Sequence, residues 1–130
     1  MGMRVYALIR IYQSVNMLTQ TLKQEISQLE ANLCSAFADP TRILILYALS
    51  EGPRNVTELT NEVGTTQSTT SRHLKILRDH GMVRTTRQGV SIIYEITDMR
   101  LIEALDILRS VLRDGIAMKA SLIAEIETRD

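Results

Sequence analysis

Residues 57–80 read TELTNEVGTTQSTTSRHLKILRDH. Leu59 and Val63 are four apart and share one face of a helix. Gly64 follows at once, the residue type that ends a helix most cheaply in a left-handed conformation. Thr66 is then placed to cap a second helix, its hydroxyl accepting from the backbone N–H of Ser68 or Thr69. That helix keeps Thr70, Leu74 and Leu77 on one side. Ser68, Ser71, Arg72 and Lys75 lie on the other. Hydroxyls, an amide and basic groups on the outer N-terminal face of a short helix suit the major groove of DNA. An ordinary helical hairpin with a solvated face carries the same pattern, so the flanking sequence decides between the two.

Downstream, Gly81 ends the second helix. Residues 82–86 and 90–96 are strand-like runs around Arg87-Gln88-Gly89. Ile92, Tyr94 and Ile96 alternate with Ile93 and Glu95, the period of a half-buried strand. Glycine in the connection supports a hairpin. A basic hairpin directly after a helix-turn-helix is a wing, with Arg84 and Arg87 set to reach phosphates or the adjacent minor groove. Asp98 is placed to cap a final helix. Leu101, Leu105, Leu108, Leu112 and Ile116 form one stripe on it, and Ile102, Ile107, Val111 and Met118 form a second. Two apolar faces require two partners, its own domain and a second subunit. Gly115 is a point where this helix could bend or break.

Upstream, Gly52-Pro53 ends a helix that Asp39-Pro40 starts. Asp39 is the cap, and Pro40 fits the first turn, where its missing N–H costs nothing. Ile43, Leu44, Leu46, Tyr47 and Leu49 point to a central, buried helix. Residues 54–56 read as one short strand. Before Asp39, Leu18, Leu22, Ile26, Leu29, Leu33 and Phe37 step by three or four over a helix from about residue 18 to 38. Thr21 and Gln24 have the spacing of a capping box within it. Val5, Leu8, Ile9 and Tyr12 also fit a helical stripe. Met17 is an alternative translation start, so 1–17 is assigned as an N-terminal extension and 18–130 as a single domain.

The chain has 130 residues and zero net charge. Its distribution of charge is uneven. Residues 54–89 hold six basic and three acidic side chains, a net +3, whereas 98–130 hold five basic and seven acidic, a net −2. The positive end is an electrostatic footprint for a polyanion. One cysteine, Cys34, excludes an internal disulfide and fits a reducing cytoplasm. Residues 5–11 are apolar but far too few to span a bilayer. No small-residue cleavage site follows them, as a signal peptide would need. No nucleophile–base pair, phosphate-cradling glycine loop or carboxylate cluster marks an enzyme.

The order of these elements resembles the arsenic-repressor (ArsR/SmtB) family of winged-helix regulators. The matching runs are FADPTR at 37–42, QSTTSRHLKILR at 67–78 and GMVR at 81–84, with Gly89 and Tyr94 in the wing. The resemblance covers roughly residues 18–112. It implies a mainly α fold with a small β-hairpin wing and helical dimerisation elements at both ends. It also implies a homodimeric repressor of double-stranded DNA, released from its operator by an inducer. The DNA-binding set is Gln67, Ser68, Thr69, Ser71, Arg72, His73, Lys75, Arg84 and Arg87. His73 stands at a family-typical position and reads as packing or contacting the DNA backbone rather than as a ligand. The dimer set is Leu18, Leu22, Ile26, Leu29, Leu108, Leu112 and Ile116. Thr70 replaces the family's usual apolar residue, at a small cost in stability.

The family's best-known inducers are metals, and here the chain departs. Positions matching one sensing site are Asn55, Val56 and Thr57, with no thiolate. Those matching the other are Asp98, Arg100, Val111 and Asp114, of which two cannot ligate. Soft metals require Cys or His, so no metal and no cofactor is expected. A small organic effector, oxidation of Cys34, or control by expression level alone remain as signals. Cys34 itself reads as a small buried hydrophobe on the first helix, with a thiol pairing across the dimer as the sharper alternative. A winged-helix interaction module without DNA binding is the competing function, and the basic face argues against it.

Overall fold

The computed structural model describes residues 2–129, apart from the side chain of Leu18. Two compact units follow one another, residues 1–40 and 41–130.

The first unit is helical. α1 spans Gly2–Gln28, a six-residue π-helical turn covers Leu29–Cys34, and α2 spans Ser35–Phe37. The helix therefore starts some sixteen residues before the expected position. The Thr21–Gln24 capping box does not form, because Thr21 lies inside α1 and its hydroxyl donates to the Met17 carbonyl at 3.0 Å. A hydroxyl in mid-helix satisfies itself on the carbonyl four residues back in this way. In the π turn the Ser35 N–H reaches back five residues to the Glu30 carbonyl. That extra residue shifts the phase of the apolar stripe between Ile26 and Phe37. Leu22, Ile26 and Leu29 are about half exposed. Leu18, assigned to the same stripe, lies outside the described side chains.

The second unit contains the core. α3 spans Pro40–Ser50, α4 Val56–Val63 and α5 Gln67–Asp79. β1 spans Val83–Gln88, β2 Ser91–Ile96 and α6 Arg100–Thr128. Ile45, Leu46 and Leu49 of α3 are buried with Leu59, Leu74, Leu77, Met82, Val83, Ile102 and Leu105. Leu44 is 53% exposed, so α3 is buried on one broad side rather than all round.

β1 and β2 pair antiparallel from Val83↔Ile96 to Gln88↔Ser91. The loop is thus the two residues Gly89-Val90 instead of the expected three at 87–89: Arg87 and Gln88 belong to the strand, and Val90 leaves it. Gly89 has φ 63° and Val90 has no positive φ. Glycine as the first central residue is the pattern of a type II′ turn, whose twist matches the strands. Residues 54–56 make no full strand. Arg54 exchanges backbone bonds with Tyr94, N–H to carbonyl at 3.0 and 2.8 Å, and Val56 already belongs to α4. α6 runs unbroken through Gly115. Of its two apolar stripes only Ile102 and Leu105 are buried. Ile107, Leu108, Val111, Leu112, Ile116 and Met118 are exposed.

Candidate nucleic-acid interface

α4 and α5 owe their geometry to short-range chemistry. Asn55 caps α4. Its side chain accepts the Glu58 N–H at 2.8 Å while the Glu58 carboxylate accepts the Asn55 N–H at 3.3 Å, a complete capping box. Asn-x-x-Glu at 55–58 is the sequence signature of that box, and it replaces the strand expected at Asn55. Gly64 closes α4 at φ 75°. Thr66 then caps α5, accepting the Thr69 N–H at 3.2 Å.

The two faces of α5 separate cleanly. Thr70, His73, Leu74 and Leu77 are buried. The Thr70 hydroxyl donates to the Thr66 carbonyl and receives the Thr60 hydroxyl, both at 2.9 Å. The polar atom at this apolar position is therefore satisfied, which keeps the cost of burying it low. Gln67, Ser68, Ser71, Arg72 and Lys75 are exposed.

Two residues of the expected DNA-binding set turn away from the exposed face, and His73 takes the packed place that its reading also allows. His73 is only 4% exposed, with Nδ1 3.2 Å from an Arg42 guanidinium nitrogen. A guanidinium can only donate, so Nδ1 is the acceptor there. His73 is one step from Arg72 around the helix, and that step turns it into the core. Thr69 is half-buried and its hydroxyl is bonded to that of Thr66.

The charge footprint is also narrower than the sequence indicated. The Arg54 guanidinium is 2.9 Å from Glu62. Arg84 stands directly across the hairpin from Glu95 and pairs with it. Among the described residues Arg72, Lys75, Arg78 and Arg87 have no ion pair. Arg87 sits near the wing tip, on the exposed strand partner of Ile92.

Residues 39–85 match the profile described as bacterial regulatory protein, arsR family. The chain is 40% identical over 76 residues to the HTH-type transcriptional regulator NmtR of Mycobacterium tuberculosis. That match covers 58% of this chain and 63% of the relative, just under two thirds of its length. It is 32% identical over 81 residues to the biofilm growth-associated repressor of Xylella fastidiosa, covering 62% of this chain and 71% of that protein. The chain belongs to the arsR family of bacterial regulatory proteins. The arsR-family fold is equally clear in three dimensions. The crystal structure of NolR from Sinorhizobium fredii superimposes with a TM-score of 0.62 at 35% identity, over 68% of this chain and 89% of that one.

The positions that match the family's metal sites do not fit a metal in this arsR-family chain. Asn55 is engaged in capping α4. Arg100 grips the Asp98 carboxylate with two nitrogens, at 3.0 and 2.6 Å, while Asp98 accepts the Arg100 N–H at 2.9 Å. α6 begins at Arg100 with Met99, which makes no side-chain cap, in the N-cap position, so Asp98 lies one residue outside the expected capping position and accepts the first N–H of the helix. The side-chain and backbone bonds from Arg100 hold the Asp98 carboxyl down at about 2. Arg100→Ala is expected to move the Asp98 titration midpoint back up toward ordinary carboxylate values, observable in its NMR carbonyl shift. A midpoint unchanged from wild type would refute the pairing. The pair stabilises the ionised form, so its contribution is complete above the ordinary Asp pKa and fades as pH falls through about 2. Among the described residues no group of three or more His, Cys, Asp or Glu converges.

Two further features had little or no local signal. The Tyr47 hydroxyl donates to Asp106 at 2.6 Å, and Arg109 lies 5.2 Å over the Tyr47 ring. These groups tie α3 to α6 across 59 residues of sequence. Cys34 is exposed on the π turn rather than buried as expected. No single described helix is long and apolar enough to cross a membrane.

Proposed function

We propose that this arsR-family chain is a homodimeric, sequence-selective DNA-binding repressor whose signal does not act through the family's metal positions. The observation that carries the reading is the outer face of α5. Gln67, Ser68, Ser71, Arg72 and Lys75 are exposed together on it, and among the described residues neither Arg72 nor Lys75 has an ion pair. Packing places no demand on that composition, whereas base edges and phosphates do. Arg72 is the base reader. Lys75 and Arg87 meet phosphate. Arg84, held by Glu95, contributes little net charge to DNA and acts mainly in the hairpin. The dimer brings two copies of α5 to half-sites about one DNA turn apart, roughly 34 Å. A small organic effector, oxidation of the exposed Cys34 or expression level alone supplies the signal.

The test begins with DNA that the protein retains from its own genome. Arg72→Ala is expected to weaken that complex by about 1–3 kcal/mol and to relax base preference at one position per half-site. Arg87→Ala is expected to weaken binding to all sequences alike and to flatten the dependence on salt. Unchanged affinity in both variants would defeat the assignment. Zinc, cadmium and arsenite, titrated under reducing conditions, are expected to leave the complex intact. Release at stoichiometric metal would show that a metal site exists.

A further inference from the structure

We infer that Val56 reads the C5-methyl group of a thymine, from an open depression between α4 and α5 on the face that carries Ser68, Ser71 and Arg72. This rests on the DNA-binding reading above and adds to it a residue outside the second helix. The depression is lined by Val56, Gln67, Ser68 and Ser71. Val56 is the first residue of α4 and is half-buried. It is the one lining side chain that presents only carbon.

The surroundings hold it in place. The Asn55–Glu58 capping box fixes the turn from which Val56 projects. Gln67 spans the gap between the two helices, its Nε2 donating to the Thr57 hydroxyl at 3.2 Å. Ser68 and Ser71 are three apart and therefore neighbours on one face of α5. An apolar floor rimmed by two hydroxyls and an amide is left in the surface that meets the groove.

The chemistry of the lining selects the occupant. A phosphate calls for a cation, and an apolar Val56 floor gives it nothing to accept from; no cationic side chain lines the depression. In the major groove of unmodified DNA only thymine offers an apolar group, its C5-methyl, beside an O4 acceptor. Val56 matches the methyl, and a hydroxyl of Ser68 or Ser71 can donate to O4.

The probe is a duplex selected by the wild-type protein from a random-sequence library. Each thymine in the protected half-sites is replaced in turn by deoxyuridine, which removes the methyl alone. Replacement at one position per half-site is expected to weaken wild-type binding about fourfold per half-site, the effect of one buried methyl. Val56→Ala should bind the unmodified duplex more weakly and change less than twofold on the same replacement. Val56→Thr keeps the shape of the side chain and serves if the alanine variant folds poorly. It should also show a reduced response to the methyl. A wild-type protein indifferent to every replacement, or a Val56→Ala variant as sensitive as wild type, overturns the inference while leaving DNA binding intact. Failure to select any DNA overturns both readings.

Discussion

Leu108→Glu is expected to separate the protein into monomers and to abolish operator binding in the same step. Beyond Leu105 the apolar residues of α6 are uncovered: Ile107, Leu108, Val111, Leu112 and Ile116 are each 60–64% exposed. Further along, Leu122, Ile123 and Ile126 are exposed as well. From Ile107 to Ile126 the helix rises about 29 Å. An apolar stripe of that extent exceeds the scattered exposure usual for a monomer and marks an association surface. A two-fold contact presents each residue twice, so one substitution places two carboxylates in the interface. Removing a central anchor costs about 2–4 kcal/mol in such contacts, and burying an unpaired charge adds to it. The dimer should then weaken by at least a hundredfold. Operator affinity falls with it, because one copy of α5 reaches only one half-site. Sedimentation of the variant and of wild type, beside a DNA titration, checks both. A wild-type protein that sediments as a monomer at micromolar concentration would refute the interface. A Leu108→Glu variant that stays dimeric would move it off this helix.

Leu74→Ala is expected to destabilise the second unit by about 2–5 kcal/mol. Leu74 is fully buried on the inner side of α5, next to Thr70 and Leu77. Such a loss is a large part of the roughly 5–15 kcal/mol that holds an ordinary domain together. Chemical denaturation followed by circular dichroism should show the shift, with an unchanged slope if the folded state is otherwise intact. Arg72→Ala, on the opposite side of the same helix, should change stability by less than about 0.5 kcal/mol. The two variants therefore separate holding the helix in place from reading DNA with it. Equal stability of Leu74→Ala and wild type would mean that the inner face of α5 is not packed as described.

The contrast between these faces shows how much of the site the sequence contained. Thr66, Gly64 and the Thr70–Leu74–Leu77 stripe act within one turn of helix, so spacing alone located them. Asn55 obeys the same kind of rule, legible at Asn-x-x-Glu, and the strand expected there gives way to it. His73 was harder. It is flanked by exposed Arg72 and buried Leu74, and its direction depends on a buried seat beside Arg42, which comes from another helix.

What the sequence determined by itself was most of what neighbours three to five residues apart govern. The helix pair, the Gly64 and Thr66 signals between its helices, the hairpin and the stripes on the last helix belong to this class, and so does the family resemblance built on them. Tertiary structure decided which charges remain free. Arg54 and Arg84 counted toward a basic patch until Glu62 and Glu95, eight and eleven residues away, were brought beside them. It also decided that Tyr47 meets Asp106. Strand register and helix packing make these pairs, and neither leaves a trace in local spacing. The first helix differs again. Its early start broke the expectation set by Thr21, because one hydroxyl can cap a new helix or bond back within an existing one. Only the backbone conformation of the residues before it selects between them.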